Sequence, residues 1–242
     1  MHFVLVHGSW HGGWCWDGVV AALAKAGHTA DAPTLPGCGG EYADASLTLA
    51  DLAGCVDDVV EDARAPTVLV GHSSAGLLLQ AVAPRHSRKL VRVVALSAIM
   101  VPTGQPVIDL FPPEMAKSLT AEVEASGNNT MPVNPDFIRN VVMAGESDAD
   151  KNALLSRLSP QPFALYTTRI DAKPFAESTV PRSAIVPKGD LAFGPGGFIA
   201  LAKAAGVTFD RVVEPSGGHE IMVTAPAAAT RALLDAVPEA HG

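Results

Sequence analysis

A serine at position 73 lies where the chain changes abruptly from one periodicity to another. Thr67–Val70 is a β-branched apolar run that stops at Gly71, and an apolar helical run follows from Ala75. A sharp strand-to-helix turn needs small residues around the corner, and it pushes the corner side chain out of the sheet. The N–H groups of the new helix then point at any negative charge beside it. The pattern favours Ser73 as a nucleophile, and an ordinary helix-capping serine is the alternative.

A serine hydroxyl attacks efficiently only when a base removes its proton and a third group orients that base. Of the eight histidines, His219 is the best candidate base, because it follows the last predicted strand and can reach back across the sheet edge. When the nucleophile sits on such a turn, the acid lies between serine and histidine in the chain. Asp190 meets this condition directly after a strand. The simpler alternatives are a turn aspartate and a solvated loop histidine.

The negative oxygen of a tetrahedral intermediate needs two preorganised donors. We expect the backbone N–H of Ser74, at the start of the helix, to be one of them. The other is expected from the loop after the first strand, where the N–H of Ser9 is our choice. Gly8 lets the backbone approach the substrate closely, and Trp10 adjoins the proposed donors. Gly8 and Trp10 are therefore the predicted substrate-binding residues.

Motifs for metals and nucleotide cofactors are weak in this chain. His7 and His11 are four residues apart but do not form the HExxH pattern of a zinc helix. The glycines between positions 8 and 13 lack the GxGxxG spacing, and the turn at 71–76 has no following lysine. We therefore predict no cofactor and no metal site.

The elements that must position these residues alternate between strand-like and helix-like patterns. The predicted strands are Phe3–His7, Thr29–Ala32, Thr67–Val70, Val91–Leu96, Ala184–Pro187 and Val207–Val213. The predicted helices are Val19–Ala26, Leu47–Ala63, Ala75–Ala83, Phe198–Ala205 and Val223–Val237. Such alternation implies right-handed crossovers and a mostly parallel sheet covered on both faces. The fold class predicted is α/β, with six strands flanked by helices.

The alternation breaks between residues 101 and 180, where proline and polar residues are frequent. Helical stretches are predicted there near Glu114–Ala125, Pro135–Ala144 and Asp148–Leu158. Open α/β sheets bind ligands at the carboxyl ends of their strands, so an insertion at that edge would cover a pocket. We predict a core formed by residues 1–100 and 181–242 and a helical cap insertion formed by residues 101–180.

Bulk properties exclude several classes of protein. With 242 residues, 48% apolar and 17% charged, the chain is long and apolar enough for a globular core. A net charge of −8 argues against nucleic acid as a partner. No apolar run is long enough to suggest a membrane span, and we expect no secretory signal before the first strand. The three cysteines are widely spaced, so we expect reduced thiols and a cytoplasmic protein. The oligomeric state stays open.

Three parts of the chain carry a resemblance to a known family. The opening Phe3–Trp16 resembles that of the α/β-hydrolases related to plant methylesterases and hydroxynitrile lyases, and it is also similar to bacterial hydrolases of methyl esters and methyl carbamates. Gly71–Gly76, Asp190 and His219 fall where that family has its nucleophile, acid and base. The resemblance covers nearly the whole chain and implies an α/β-hydrolase fold with a short cap. One departure is Ala75, where the turn usually has glycine.

Two chemistries share one triad within this family. The resemblance implies that the lyases carry threonine after the histidine of the first loop and a cyanide-handling lysine after the catalytic histidine. Those positions here are Gly8 and Glu220. A carboxylate would repel cyanide and Gly8 leaves room for an ester carbonyl, so hydrolysis is expected.

The resulting prediction is a cofactor-independent serine esterase. It would act on a small carboxylic ester, methyl ester or methyl carbamate through an acyl-enzyme, with a small molecule as its partner and neither nucleic acid nor a membrane. One alternative is a hydroxynitrile lyase-type C–C lyase that uses the same residues. Another is a hydrolase-derived small-molecule receptor with a residual triad.

Overall fold

Six parallel strands form the central sheet within residues 1–40 and 46–238, which are the residues that the computed structural model describes. A separate two-stranded antiparallel ladder lies in the predicted cap. The strands are β1 His2–Val6, β2 Thr29–Asp31, β3 Thr67–His72, β4 Leu90–Leu96, β5 Thr130–Met131, β6 Gln161–Pro162, β7 Arg182–Ile185 and β8 Arg211–Val213. The sheet order is β2-β1-β3-β4-β7-β8, which confirms the predicted α/β fold.

Helices cover both faces of this sheet. They are α1 Asp17–Lys25, α2 Leu49–Asp62, α3 Gly76–Val82, α4 Pro113–Ser126, α5 Pro135–Phe137, α6 Asp148–Leu155, α7 Ala164–Thr167, α8 Lys173–Ala176, α9 Gly197–Ala204, α10 Ile221–Thr224 and α11 Pro226–Ala236. Phe3 and Leu5 of β1 pack with α1 and α11, whereas Val4 and Val6 pack with α2 and α3. Alternate side chains of a strand point to opposite faces, so the continuous apolar run of β1 supplies two cores.

Helix α2 illustrates how local chemistry sets an element's start. The predicted helix began at Leu47, but α2 begins at Leu49 because Thr48 caps it. The Thr48 Oγ1 accepts from the Asp51 N–H at 3.3 Å, and an Asp51 carboxylate oxygen accepts from the Thr48 N–H at 2.8 Å. This reciprocal capping box satisfies two N–H groups that the helix itself cannot pair. The buried positions Leu52, Val56 and Val60 then lie on one face.

The predicted final helix Val223–Val237 is wrong as a single element. Helix α10 ends at Thr224, and α11 begins at Pro226 after Ala225, whose φ of −145° and ψ of 61° are not helical. Proline lacks an N–H and disfavours helical geometry at the residue before it, but it fits the first turn of a new helix. The break therefore follows from Pro226.

Most predicted elements differ from the observed ones by a few residues, and two of them illustrate the reasons. The last strand was predicted from Val207, yet β8 spans only Arg211–Val213. The Val207 N–H instead donates to the Ala202 carbonyl at 2.8 Å, so Val207 completes the C-terminal cap of α9 beside Gly206. The helix predicted over Pro135–Ala144 is α5 followed by a π-helical turn at Ile138–Val142.

Residues between β4 and β7 form helices α4 to α8 and the β5–β6 ladder. We call residues 101–180 the cap segment, and its boundaries stay a prediction. Residues 41–45 and 239–242 of the predicted core lie outside the described residues. None of the described helices combines the length and apolarity needed to cross a bilayer. All three cysteines are free thiols, and the cytoplasmic location stays a prediction.

Candidate active site

The carboxyl edge of the sheet gathers the predicted site residues. The loops after β1, β3, β4, β7 and β8 all open there. A cavity of about 300 Å³ lies at this edge, between these loops and the cap segment. Ser9, Trp10, Ser73 and His219 line it. Asp190, which is 6% exposed, lies behind His219.

Ser73 occupies the tight turn that its sequence predicted. It follows β3 directly with a φ of +52°, a left-handed conformation that a non-glycine residue adopts at a local energetic cost. The turn is held by a hydrogen bond of 2.8 Å from the Ile99 N–H to the Ser73 carbonyl. A Cβ on Gly76 would lie 2.1 Å from the Ile99 carbonyl oxygen, so only glycine fits there. Ala75 is fully buried at the position where the family usually has glycine.

His219 and Asp190 are joined as the sequence predicted. The Nδ1 of His219 donates to the Oδ2 of Asp190 at 2.8 Å. The same oxygen accepts from the hydroxyl of Ser97 at 2.6 Å, and the other oxygen accepts from the Ala192 N–H at 3.0 Å. Because Nδ1 donates to Asp190, Nε2 is the nitrogen available to take a proton. The acid is itself fixed on both oxygens.

Burial and pairing set the charge states of this pair. Burial alone raises the pKa of Asp190, but the adjacent His219 and the donated hydrogen bonds outweigh it and lower that pKa. Burial alone lowers the pKa of His219, but the charge and hydrogen bond of Asp190, together with the charge of Glu220, raise that pKa. The arrangement favours an ionised Asp190 that stabilises a protonated His219.

The first loop lies directly against the turn that carries Ser73. A Cβ on Gly8 would lie 2.9 Å from the Ser73 Cβ and 3.0 Å from the His72 Nδ1. Gly8 is not among the cavity-lining residues, so the structure gives close packing as the reason for this glycine; its predicted contact with substrate stays a prediction. Ser9 lines the cavity, whereas Ser74 is fully buried. The donor roles of the Ser9 and Ser74 N–H groups stay predictions.

The backbone N–H and the carbonyl of Trp10 are both hydrogen-bonded to the cap segment. Its N–H donates to the Gln161 Oε1 at 3.0 Å, and its carbonyl accepts from the Ser159 N–H at 2.9 Å. Its indole N–H donates to the Pro132 carbonyl at 2.9 Å. Its φ of +64° is unusual for a bulky residue, and these contacts hold it. Since the Trp10 N–H is occupied by Gln161, Ser9 is left as the candidate donor of this loop.

Three residues of the site were not predicted from the sequence. Ser97 is the first residue after β4, and a polar residue directly after a strand was the available signal. Tyr166 comes from the cap segment, and its hydroxyl lies 2.7 Å from the Ser9 Oγ, which also donates to the Ser74 Oγ at 2.9 Å. No local pattern marks Tyr166, because its partner lies 157 positions away. Gln161 was missed for the same reason.

The cap segment contributes an apolar and aromatic wall to the cavity. The rings of Phe111 and Tyr166 are stacked, with centroids 6.0 Å apart and planes 10° apart. Met115 and Phe137 also line the cavity. Glu122 is the one aspartate, glutamate, lysine, arginine or histidine that the described cap segment contributes to the lining. This wall is suited to a flat, largely apolar ligand.

The carboxylate of Glu220 has a partner, whereas the expected repulsion of cyanide required an unpaired charge. Its Oε2 is 3.2 Å from the Nε2 of His11, and both side chains are 2% exposed. Burial tends to raise the pKa of Glu220, but the charge of His11 and the neighbouring imidazoles lower it to about 2. The carboxylate is therefore ionised and paired, so its repulsion of an anion is weaker than a lone charge would give.

His72, His219 and Glu220 form a group whose possible ligand atoms lie within 4.8 Å of one another. Each already has a protein partner. The Nε2–H of His72 donates to the His219 carbonyl at 3.1 Å, His219 is bonded to Asp190, and Glu220 faces His11. Burial lowers the pKa of His72 to about 3, and the ring is neutral near pH 7. These contacts compete with metal binding.

Comparison with known proteins agrees with this geometry. Residues 3–233 match the model of the alpha/beta hydrolase family. The chain is 31% identical to a carbendazim hydrolyzing esterase from Nocardioides sp. (strain SG-4G), over 93% of this chain and 95% of that protein. It is 40% identical to the esterase PIR7B of Oryza sativa subsp. japonica, but over only 43% of this chain and 41% of that protein.

Solved structures show the same fold over the full length. One, described as an extracellular alpha/beta-hydrolase from a Paenibacillus species with structural and functional homology to tobacco salicylic acid binding protein 2, aligns with a TM-score of 0.89 and 28% identity. The alignment covers 99% of this chain and all of that one. Polyneuridine aldehyde esterase aligns with a TM-score of 0.77 over 97% of this chain and 98% of its own, at 22% identity. The sheet, the tight turn at Ser73 and these matches together place the chain in the alpha/beta hydrolase family.

Proposed function

We propose that this protein is a cofactor-independent serine esterase that cleaves small carboxylic esters or methyl carbamates. The observation that carries the proposal is the 2.8 Å hydrogen bond from His219 to a buried Asp190, on the same cavity as Ser73 in its strained turn. This combination matches the nucleophile, base and orienting acid that acyl transfer requires. The names of the relatives, which are esterases and a carbendazim hydrolyzing esterase, support ester and carbamate substrates.

The reaction would proceed in two halves. The Ser73 Oγ attacks the substrate carbonyl while the His219 Nε2 takes its proton, and the ionised Asp190 stabilises the imidazolium that forms. The N–H groups of Ser9 and Ser74 would stabilise the oxyanion. His219 then protonates the departing alcohol. In the second half, His219 activates a water that releases the acyl or carbamoyl group from Ser73.

The cavity supports substrates of limited size and low polarity. Its volume of about 300 Å³ and the stacked Phe111 and Tyr166 favour a flat aryl or heteroaryl group next to a small ester. No lysine or arginine lines the cavity in the described part of the chain, so no permanently charged cation there would neutralise a carboxylate on the substrate. Neutral methyl esters and methyl carbamates of aromatic acids and amines are the class we favour.

A labelling experiment tests the mechanism directly. The protein is treated with an organophosphate such as diethyl p-nitrophenyl phosphate, which traps an activated serine, and intact mass is measured. One diethylphosphoryl group is expected, with release of one equivalent of p-nitrophenol, and Ser73→Ala should not react. The exposed Ser156→Ala is the matched control and should react normally. Equal labelling of Ser73→Ala and wild type would contradict the proposal.

A substrate panel then separates the three functions that the site could serve. Methyl esters, aryl esters, lactones and methyl carbamates are assayed against wild type and Ser73→Ala together, with mandelonitrile as an additional substrate. Ester or carbamate turnover without cyanide release supports the esterase. Cyanide release from mandelonitrile would favour the lyase, and saturable binding without turnover would favour a receptor.

A further inference from the structure

A buried histidine–carboxylate pair adjoins His219, and neither side chain has a role in the proposed proton transfers, although Glu220 lines the cavity. The Nε2 of His11 and the Oε2 of Glu220 are 3.2 Å apart, and each side chain is 2% exposed. Removing two charges from water is costly, and a buried pair returns that cost only in part. The pair is therefore a poor source of stability, and its role is better sought in the two loops that it connects.

His11 connects this pair to the loop after β1. Its Nδ1–H donates to the Ser9 carbonyl at 2.7 Å. The His11 ring therefore lies between two acceptors, with the Ser9 carbonyl at Nδ1 and the Glu220 carboxylate 3.2 Å from Nε2. It fixes the backbone of Ser9, whose N–H is the proposed oxyanion donor.

Glu220 connects the pair to the loop after β8. It directly follows His219, and its carbonyl accepts from the Val223 and Thr224 N–H groups at 2.8 and 2.9 Å as α10 begins. The preceding carbonyl, that of His219, accepts from His72 at 3.1 Å. The backbone on both sides of His219 is therefore anchored. The side chain of Glu220 is then directed at the opposite loop.

We propose that the buried His11–Glu220 pair is a positioning element that fixes the oxyanion loop relative to the catalytic base. This inference rests on the proposed function. The two loops are about 200 positions apart in the chain, and no backbone hydrogen bond joins them within the described residues. A donor and a base that must act on one substrate carbonyl need fixed mutual positions, and an error of about 1 Å can cost about 10²-fold in rate.

The pair also acts on the base through its charge. The groups that face His219 are Asp190 at Nδ1, the neutral His72 ring with a centroid 4.6 Å away, Glu220, and the stacked ring of Phe198. Burial lowers the pKa of His219, whereas Asp190 and then Glu220 raise it. His219 must be neutral to accept the serine proton. Loss of the Glu220 charge should therefore move the acid limb of kcat/KM to lower pH.

The test is Glu220→Gln, which keeps the size of the side chain and removes its charge. We expect kcat to fall about 10- to 100-fold with a smaller change in KM, and the acid limb to move to lower pH. The rates are normalised to active sites titrated with diethyl p-nitrophenyl phosphate. A purely structural role would lower the melting temperature but leave kcat per active site and the acid limb unchanged, and that result would overturn the inference.

Two further variants keep the test decisive. His11→Gln retains the carboxylate but breaks the link to Ser9, and it should lose kcat to a similar extent; it carries the test if Glu220→Gln does not fold. The double variant should lose no more of its kcat than either single variant, because the two residues act as one unit. Additive losses would overturn the inference.

A matched control comes from a second histidine–carboxylate pair. The Nε2 of His86 and the Oδ1 of Asp57 are 2.8 Å apart, and neither residue lines the cavity. Asp57→Asn should lower the melting temperature without moving kcat or the pH profile. Ser73→Ala, assayed in the same series, separates the two proposals. Turnover by Ser73→Ala would refute the esterase itself, whereas an inactive Ser73→Ala with a normal Glu220→Gln would refute only the positioning role.

Discussion

The cavity has two sides that are built from different chemistry. The floor, formed by the loops that carry Ser9, Ser73, Asp190 and His219, consists of polar groups, of which Ser9, Asp190 and His219 are buried and hydrogen-bonded. The wall formed by the cap segment is mainly apolar and aromatic, as in the stacking of Tyr166 on its neighbours. Groups that react must be held within narrow geometric limits, whereas apolar contacts tolerate a change of shape. Changes to the floor should therefore abolish turnover, and changes to the wall should redistribute it among substrates.

The largest expected effect is at the floor, on the attacking atom. Ser73→Ala should lower kcat by about 10⁶-fold, because no other group replaces the nucleophile. The measurement is single-turnover hydrolysis of a p-nitrophenyl ester, with the protein's far-ultraviolet circular dichroism as a check on folding. Activity within tenfold of wild type in this variant would contradict the expectation that changes to the floor abolish turnover.

The orienting acid should come second. Asp190→Asn keeps the shape of the side chain but removes the charge that favours the Nδ1–H tautomer of His219, and kcat should fall by about 10⁴-fold near neutral pH. The acid limb should also move to lower pH, because Asp190 is the group that most raises the pKa of His219. Ser97→Ala is the matched comparison, since it removes one of three hydrogen bonds to the same carboxylate. The kcat of Ser97→Ala should fall much less than that of Asp190→Asn.

A change in the wall should alter binding more than chemistry. Phe111→Ala removes the ring stacked on Tyr166, so KM for aryl esters should rise about tenfold while kcat changes little. Phe111→Leu keeps most of the apolar volume without the ring and should give a smaller increase. The assay compares phenyl acetate with ethyl acetate, because KM should rise only for the aryl ester. A collapse of kcat would mean that the wall also positions the reacting groups.

The smallest effect is expected at Glu122, which lines the cavity but is partly exposed. Its carboxylate should disfavour substrates that carry a negative charge. Glu122→Gln should raise kcat/KM for monomethyl terephthalate about threefold relative to methyl benzoate, since exposed charge interactions are weak. The difference should shrink in high salt. No change in this ratio would show that the substrate does not approach Glu122.

Prediction from sequence worked where short-range rules decide the outcome. The turn at Ser73 was predicted because β-branched residues, small residues and an apolar helical run follow one another within a few positions. The break at Pro226 was equally local, and the error there came from extending a helical pattern through a proline. In contrast, Tyr166 and Gln161 could not be predicted, since their partners Ser9 and Trp10 are more than 150 positions away.

The sequence by itself determined the α/β architecture, the turn that carries Ser73, and the placement of Asp190 and His219 after strands of one sheet. Backbone sterics, strand alternation and chain order are written in neighbouring residues, and that is why they could be predicted. The tertiary structure alone decided that Ser97 supports the acid, that the cap segment holds Trp10, and that Glu220 pairs with His11. Such contacts depend on which loops meet in space, and a side chain's type does not name its distant partner.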